Sequence, residues 1–496
     1  MKKMKNFKIL ILVFLAASST YAQNETDALR YSFINYNGTA RFNAMGGAFG
    51  ALGGDISALS TNPGTIGIFR KSDFSITPTF QYADAKSNYN GGSAIDGRLN
   101  FNLSNLGMVG VYESSSYDWM NTQFAIGYNR LNNFNGSVSI KGNNKNGSSM
   151  LDDYTAEVNS FGGTYSADIE KYYPFGANLA YQTFLINPSS NDSMLYTHVL
   201  QGRNDINQER YITTRGGMGE TYLAFGGNYS DKLFVGGSIN FQNIRYTEEL
   251  YYKETPPEND TISYLKYWER NDELTTRGWG INAKFGMIYA FADWLRIGGA
   301  VHSPTYFAMT DNWSSNMKAE FIDSNNTILT QNSPNGSFDY ALTTPFRAIG
   351  SIGFIVGKFG IIGVDYEFVD YSGTRLRDQR EFSATPYGFN QENANIKSFY
   401  TSANNIRVGT EWRLDPIRLR AGYQLNGNPY KSVTLKDLSS NTLSFGIGIR
   451  GDETYFDIGY SLTQYSKEWQ MYKTAVSSAA VSHSAHLISF TLGFRY

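Results

Sequence analysis

His198, His302, His483 and His486 are the four imidazoles of the 496-residue chain, and there is no cysteine. Disulfides, thiolate metal sites and a lipidated N-terminal cysteine are therefore excluded. His483 and His486 stand three apart in a segment that alternates like a strand, so they take opposite faces and do not pair on a metal. His302, beside Ser303, is a lone inward histidine and reads as structural. No catalytic residue, metal ligand or cofactor is expected; an activated nucleophile among wall residues would reverse that reading. The charges with positional meaning lie elsewhere. With Asp415-Pro416 as a two-residue turn, Glu411 falls opposite Arg420, a cross-strand salt bridge, and Arg413 opposite Arg418, a like-charge pair that wants an anion. Asp55 is the lone acid of a Gly-rich apolar stretch. A contact between Asp55 and Arg413 or Arg418 would latch that stretch; solvated charges on both sides are the alternative.

The elements that must carry these residues are strands. From Ser72 onward apolar residues recur with a period of two. Ile488, Phe490, Leu492, Phe494 and Tyr496 share one face of the last segment, and Ser489, Thr491, Gly493 and Arg495 the other. A final strand ending on an aromatic resembles those read by the outer-membrane assembly machinery. The same pattern recurs over 233–242, 279–289 and 443–450. One face suits lipid, and the other a polar, small-residue lumen. Strands are expected near 72–84, 98–112, 119–132, 219–230, 233–252, 273–290, 294–305, 342–356, 359–373, 403–414, 417–424, 441–451, 454–466 and 484–496. Their connections alternate between short ones, at 113–118, 231–232, 291–293, 357–358, 415–416 and 452–453, and long ones, the longest at 133–218. That asymmetry predicts an all-β transmembrane antiparallel barrel of about 14 strands over 72–496, closed because lipid offers open edges no partner. Two phase conflicts stand out. The strands around 357–358 disagree unless a bulge intervenes. In 98–112, Leu99, Phe101 and Leu103 keep one phase and Leu106 and Met108 the other, which puts a slip at Ser104-Asn105 that would bend the wall.

Ahead of the barrel, Lys2, Lys3, Lys5 and Lys8, the apolar run Ile9–Ala17 and Thr20-Tyr21-Ala22 read as a signal peptide over 1–22, with the mature chain starting at Gln23. The run is too short for a retained spanning anchor. Residues 23–71 do not alternate, yet they carry Met45, Phe49, Leu52, Ile56, Leu59, Ile66, Ile68 and Phe69, too apolar for exposed disorder. A plug inside the barrel accounts for them; a tail against the rim is the alternative. The composition of 36 Tyr, 33 Phe and 49 Gly suits girdles and a crowded lumen, and a net charge of −2 offers nothing to nucleic acid.

Gly54-Asp55, Ala58 and Asn62-Pro63-Gly64, leading into the first strand, resemble the N-terminal hatch of the FadL/TodX/OmpP1 transporters for hydrophobic compounds. Asn62 and Pro63 match the Asn-Pro-Ala motif of that family. Gly64 departs from its Ala, which predicts a more flexible turn. Leu295–Pro304 and Pro345–Ser372 resemble the family's strands more diffusely. The resemblance implies a monomer in the outer membrane of a Gram-negative bacterium, among lipid and lipopolysaccharide. A hydrophobic small molecule, a long-chain fatty acid or aromatic hydrocarbon, would land in an outer groove, pass to a lumenal pocket, and leave sideways through the wall after a hatch movement, without energy coupling. Phe184, Leu185, Met194 and Leu195 in the 133–218 loop are candidates for the groove, or equally for a loop core, and Ser104-Asn105 for the lateral opening. A surface component of a protein-secretion system, binding a protein partner, is the rival within the same resemblance. A diffusive porin would need an unplugged lumen.

Overall fold

The computed structural model describes residues 24–114, 118–258, 260, 262–379, 387–434 and 436–496. The leader expected over 1–22, and Gln23, lie outside them.

Fourteen wall strands pair in chain order and close on themselves. They are β1 (Asp73–Tyr89), β2 (Gly92–Glu113), β3 (Trp119–Asn133), β4 (Ile206–Tyr229), β5 (Leu233–Thr255), β6 (Leu265–Ala292), β7 (Leu295–His302, continued by Tyr306–Phe321) and β8 (Gly336–Thr343, continued by Arg347–Val356). Then come β9 (Gly360–Asp370, continued by Arg375–Asp378), β10 (Ser402–Leu414), β11 (Ile417–Asn426), β12 (Ser440–Arg450), β13 (Thr454–Gln470) and β14 (Ser478–Arg495). Every neighbouring pair is antiparallel, and β14 returns to β1 with Arg495 opposite Asp73. Closure leaves no edge amide to hydrocarbon.

Alternation places the apolar residues outside. Ile239 and Phe241 of β5 and Trp279, Ile281, Phe285, Met287 and Tyr289 of β6 are exposed, whereas Ser238, Asn240 and Gln242, and Asn282 and Lys284, are buried inside. This apolar belt with an aromatic edge is the exterior that a bilayer requires. The short connections at 230–232, 293–294, 357–359, 415–416 and 451–453 gather at one rim. At 357–359 the turn has three residues, so Ile355 meets Ile361 with both inside and the phase conflict vanishes without a bulge. Asp415-Pro416 is a two-residue turn, with Glu411 opposite Arg420 and Arg413 opposite Arg418.

At the other rim the strands outrun the expected boundaries. The long loop expected over 85–97 is instead two strands meeting at Asn90-Gly91. Both residues have positive φ, 45° and 81°, the backbone that an Asn-Gly hairpin turn demands. The expected 306–341 loop carries strand out to Phe321, after a break at 303–305. Between β3 and β4 the chain forms a cap. Helices Leu151–Val158, Ser166–Tyr172 and Ala177–Gln182 pack with Leu185, Ile186 and Leu200 onto the strand tips at Tyr252, Trp268, Met317 and Val481. Buried Glu254 ties the cap down. It accepts from the Ser149 hydroxyl, the Met150 N–H (3.0 Å), Gln208 (2.9 Å), Tyr252 (2.6 Å) and the Trp268 indole (2.9 Å). Burial pushes its carboxyl up; the Ser149, Tyr252, Met150 and Trp268 donors oppose that.

A charge in the belt tests the lipid-facing assignment. Phe285→Arg, within the exposed apolar run Trp279–Tyr289 of β6, is expected to lower stability by about 2–4 kcal/mol, read as a lower urea midpoint for unfolding from phospholipid vesicles. An unchanged midpoint would remove hydrocarbon from that face.

Candidate functional site

Residues 24–69 lie within the ring of strands and touch inward-facing residues around most of it. Helix α1 (Glu25–Ser32) starts from an Asn24 cap, and Tyr31 is fully buried. The Arg347 guanidinium donates to the Ser32 carbonyl. Farther along, Ala40 N–H donates to Thr491 (2.7 Å), Asn43 to Ser489 (2.9 Å), and Gly50 N–H to Asp365 (3.0 Å). The Ser57 and Ser60 end receives Asn129, and the Ser60 and Thr61 carbonyls receive Lys284 (2.9 Å) and His302 (2.8 Å). His302 is thus a buried wall-to-segment contact. His483 stacks on Tyr465, and His486 stands against the Tyr460 hydroxyl at 2.9 Å.

Asn62-Pro63-Gly64 is the tightest seat. Asn62 caps the 3-10 turn Pro63–Ile68 by accepting from Gly64 N–H (2.9 Å), and its amide donates to the Gly50 carbonyl (2.6 Å). A methyl on Gly64 would stand 2.7 Å from the Met287 Cα and 2.8 Å from the Gly286 carbonyl carbon of β6. Gly64 therefore serves close approach to the wall, and the expected role in turn flexibility is corrected: its φ is not positive.

The Asp55 latch also needs correction. Asp55 caps the 3-10 turn Ile56–Ser60, accepting from Ser57 N–H (3.0 Å) and the Thr39 hydroxyl (2.7 Å). Neither Arg413 nor Arg418 reaches it: Arg418 pairs with Asp415, and Arg413 lies 4.0 Å from Glu411. The clasp runs with opposite polarity. Arg41 of the segment meets Glu411 of the wall in two bonds, 2.7 and 3.2 Å, and Glu411 also accepts from Arg420, which continues to Asp457 and Arg450. The sequence signal was present: Arg41 is the cation between Arg30 and Arg70 in a Gly-rich apolar run. Lys284 with Glu220 (2.6 Å), and Arg347 with Glu367 and Arg407, add two further buried charge groups that residue spacing did not single out.

The slip at Ser104-Asn105 is a bulge. Thr77 pairs with Asn105 and Pro78 with Leu103, so Ser104 has no partner on β1. Pairing of β2 with β3 ends at the same level, at Asn105–Asn129, where the two side-chain amides bond at 2.7 Å. Above it a cavity of about 570 Å³ separates Asn100–Leu103 and Leu106 from Tyr128, Arg130, Asn135 and Gly216. Its outer lip is apolar: Leu99, Phe101 and Leu106 are exposed. Its inner side is covered by the N-terminal segment. Asn35 N–H donates to the Leu131 carbonyl (2.8 Å), Asn37 N–H to the Arg130 carbonyl (2.9 Å), and Asn132 to the Phe33 carbonyl (3.2 Å).

The outer-groove candidates do not act together. Leu185 is fully buried in the cap core, which corrects its place in a groove, whereas Phe184 and Leu195 are exposed and Met194 half-buried.

Removing one side of the Arg41 clasp tests its hold. Breaking a buried pair costs about 3–5 kcal/mol, so in Arg41→Gln amide exchange across 45–62 is expected to quicken by about two orders of magnitude, with the barrel still heat-modifiable on gels. Unchanged exchange would show the segment held by its backbone contacts alone.

No protein-family profile and no curated protein sequence matches the chain. Solved structures do. The Pseudomonas putida toluene transporter TodX is 14% identical, with 94% of this chain and 100% of that one covered at a TM-score of 0.53. A Pseudomonas aeruginosa FadL homologue is 11% identical, with 93% and 99% covered at 0.54. At such identities the likeness concerns fold, and along nearly its whole length this chain has the fold of those two proteins.

Proposed function

We propose that the chain is an outer-membrane channel for passive uptake of hydrophobic small molecules, which leave through the wall between β2 and β3. One observation carries the reading: β2–β3 pairing ends at Asn105–Asn129 beside an apolar lip, and the chain's own residues 35 and 37 bond to the β3 carbonyls beyond that point. The described lumen is packed by Tyr31, Phe42, Phe49, Met309, Tyr340 and Phe389, so passage requires the N-terminal segment to move. A route for the trigger exists. Helix Asn390–Phe399 of the outer loops touches α1, where Tyr400 donates to the Glu25 carbonyl (2.9 Å), and α1 leads directly into 33–37. A ligand seated among the outer loops would displace α1 and draw the stopper from the gap. The lipid-facing apolar side chains at the lip then offset desolvation of an apolar molecule at about 25 cal/mol per Å². The likeness in fold to a toluene transporter and a FadL homologue supports this class; fatty acids and aromatic hydrocarbons both fit it.

The secretion-partner reading keeps one observation of its own. Phe161, Tyr165, Tyr172 and Phe184 stand exposed on the cap, a surface suited to a protein.

Deleting Ser104 removes the bulge residue and lets β2 continue along β3. Uptake of labelled toluene or oleate by cells is then expected to fall at least about tenfold at equal surface level, whereas Ser104→Ala retains it. Uptake unchanged by the deletion would sink the lateral route. Absence of uptake in the unaltered protein would leave protein binding as its function.

A further inference from the structure

We propose that the outer wall across β4–β8 holds a binding site for the phosphorylated headgroup of an outer-leaflet glycolipid of the lipid A type; this rests on the outer-membrane reading above. Arg245 of β5 and Arg277 of β6 are directly opposite each other, both pointing outward and exposed. Like charges so placed repel at about 5 Å between Cβ atoms unless an anion lies between them. Among the described residues neither has an ion-pair partner. Higher on the same wall the cations are matched: Lys141 on Glu209, Arg215 on Glu249, Lys266 on Glu320 and Lys318 on Glu269.

The rung below runs Arg130, Gly219, Asn243, Trp279, Ala308, Ala341, Arg377 across successive strands. Small residues on both sides of Trp279 leave a depression of about 820 Å³, whose lining includes Arg130, Arg245, Arg277, Trp279 and Thr310. The acid on that lining, Asp339, is engaged by the Thr310 hydroxyl (2.6 Å). Phe241 and Ile281 lie directly beneath, at the loop-side end of the apolar belt. The pair of guanidiniums therefore stands at headgroup height. A phosphate between them accepts charge-assisted bonds from both, the sugar rests in the depression against Trp279, and acyl chains run down the belt. Arg245 and Arg277 line this depression and not the gap beside β2, which separates the two sites.

The experiment uses the full mature chain, folded and inserted in neutral-lipid nanodiscs, with retained lipid counted by native mass spectrometry. Bisphosphorylated lipid A is expected to be retained about tenfold more than enzymatically dephosphorylated lipid A, and the Arg245→Gln/Arg277→Gln variant to lose that preference. Equal retention of the dephosphorylated form by the unaltered protein overturns the proposal without recourse to any variant. So does a preference that survives in a folded double variant, or equal retention of phosphatidylglycerol, which marks a general anion surface. Failure of the unaltered chain to insert in the nanodisc would instead overturn the membrane reading on which the site rests.

Discussion

Hydrocarbon accepts no hydrogen bonds, and that single constraint shapes both the wall and what lies inside it. Fourteen strands satisfy it by closing on themselves, Arg495 against Asp73. Where β2 leaves β3 above Asn105, residues 130 and 131 have no partner on β2, and their carbonyls are met by Asn37 and Asn35 of the N-terminal segment. That segment thus completes the wall as well as filling the bore. On the proposed reading stopper and opening are one structural unit, because withdrawing residues 33–37 uncovers the gap and leaves the β3 edge to be resolvated in the same motion.

The place where β2 leaves β3 has a local cause. Pro78 lacks an N–H, so β1 cannot donate there, and in sheets proline is confined to edges and bulges. Across from it β2 skips Ser104, and the ladder of β1 with β14 is interrupted, in unchanged register, between Ile76–Leu492 and Thr79–Ser489. Hydroxyls replace the missing ladder: Thr77 with Thr491 at 2.8 Å and Thr79 with Ser104 at 2.6 Å. A defect written by one proline is thereby satisfied internally, while the strand above it is free to diverge from β3.

Alternation made the barrel legible, since every lipid-crossing stretch must put apolar residues on one face. The five short turns among the described residues followed, as did the pairing around Asp415-Pro416; the one expected over 113–118 includes 115–117, outside the described residues. Alternation weakens where a strand leaves the bilayer, because both faces then meet water or a cap, and so β1 and β2 were cut short although Asn90-Gly91 marks their turn. The slip at Ser104-Asn105 was visible as a change of phase, and Pro78 opposite it was a second signal. The lumenal contacts were less accessible. Asp55 and Arg41 both stand out as charges in an apolar run, but which one reaches the wall depends on folding of the segment itself, where Thr39 and Ser57 engage Asp55 first. Gly64 looked like a turn residue because its neighbour Met287 lies more than two hundred positions away.

The two ends of the segment are held by unequal forces. From Ala40 to Phe69 it is fixed by the Arg41–Glu411 clasp, the Gly50–Asp365 contact and glycine-to-backbone approach at Gly64. Loss of the clasp alone costs about 3–5 kcal/mol. Residues 33–37 are held to β3 by two backbone bonds and one side-chain bond, each contributing about 0.5–1.5 kcal/mol net. On the proposed reading the motion is local: residues 33–37 and α1 swing, giving up the stack of Phe33 on Tyr371 and the Arg347–Ser32 contact as well, while 40–69 stay seated. The floor of the bore then remains shut to water and ions, and the lateral gap opens onto the bilayer. A molecule that prefers hydrocarbon gains from that arrangement, and a polar solute, given no aqueous path through the floor, does not.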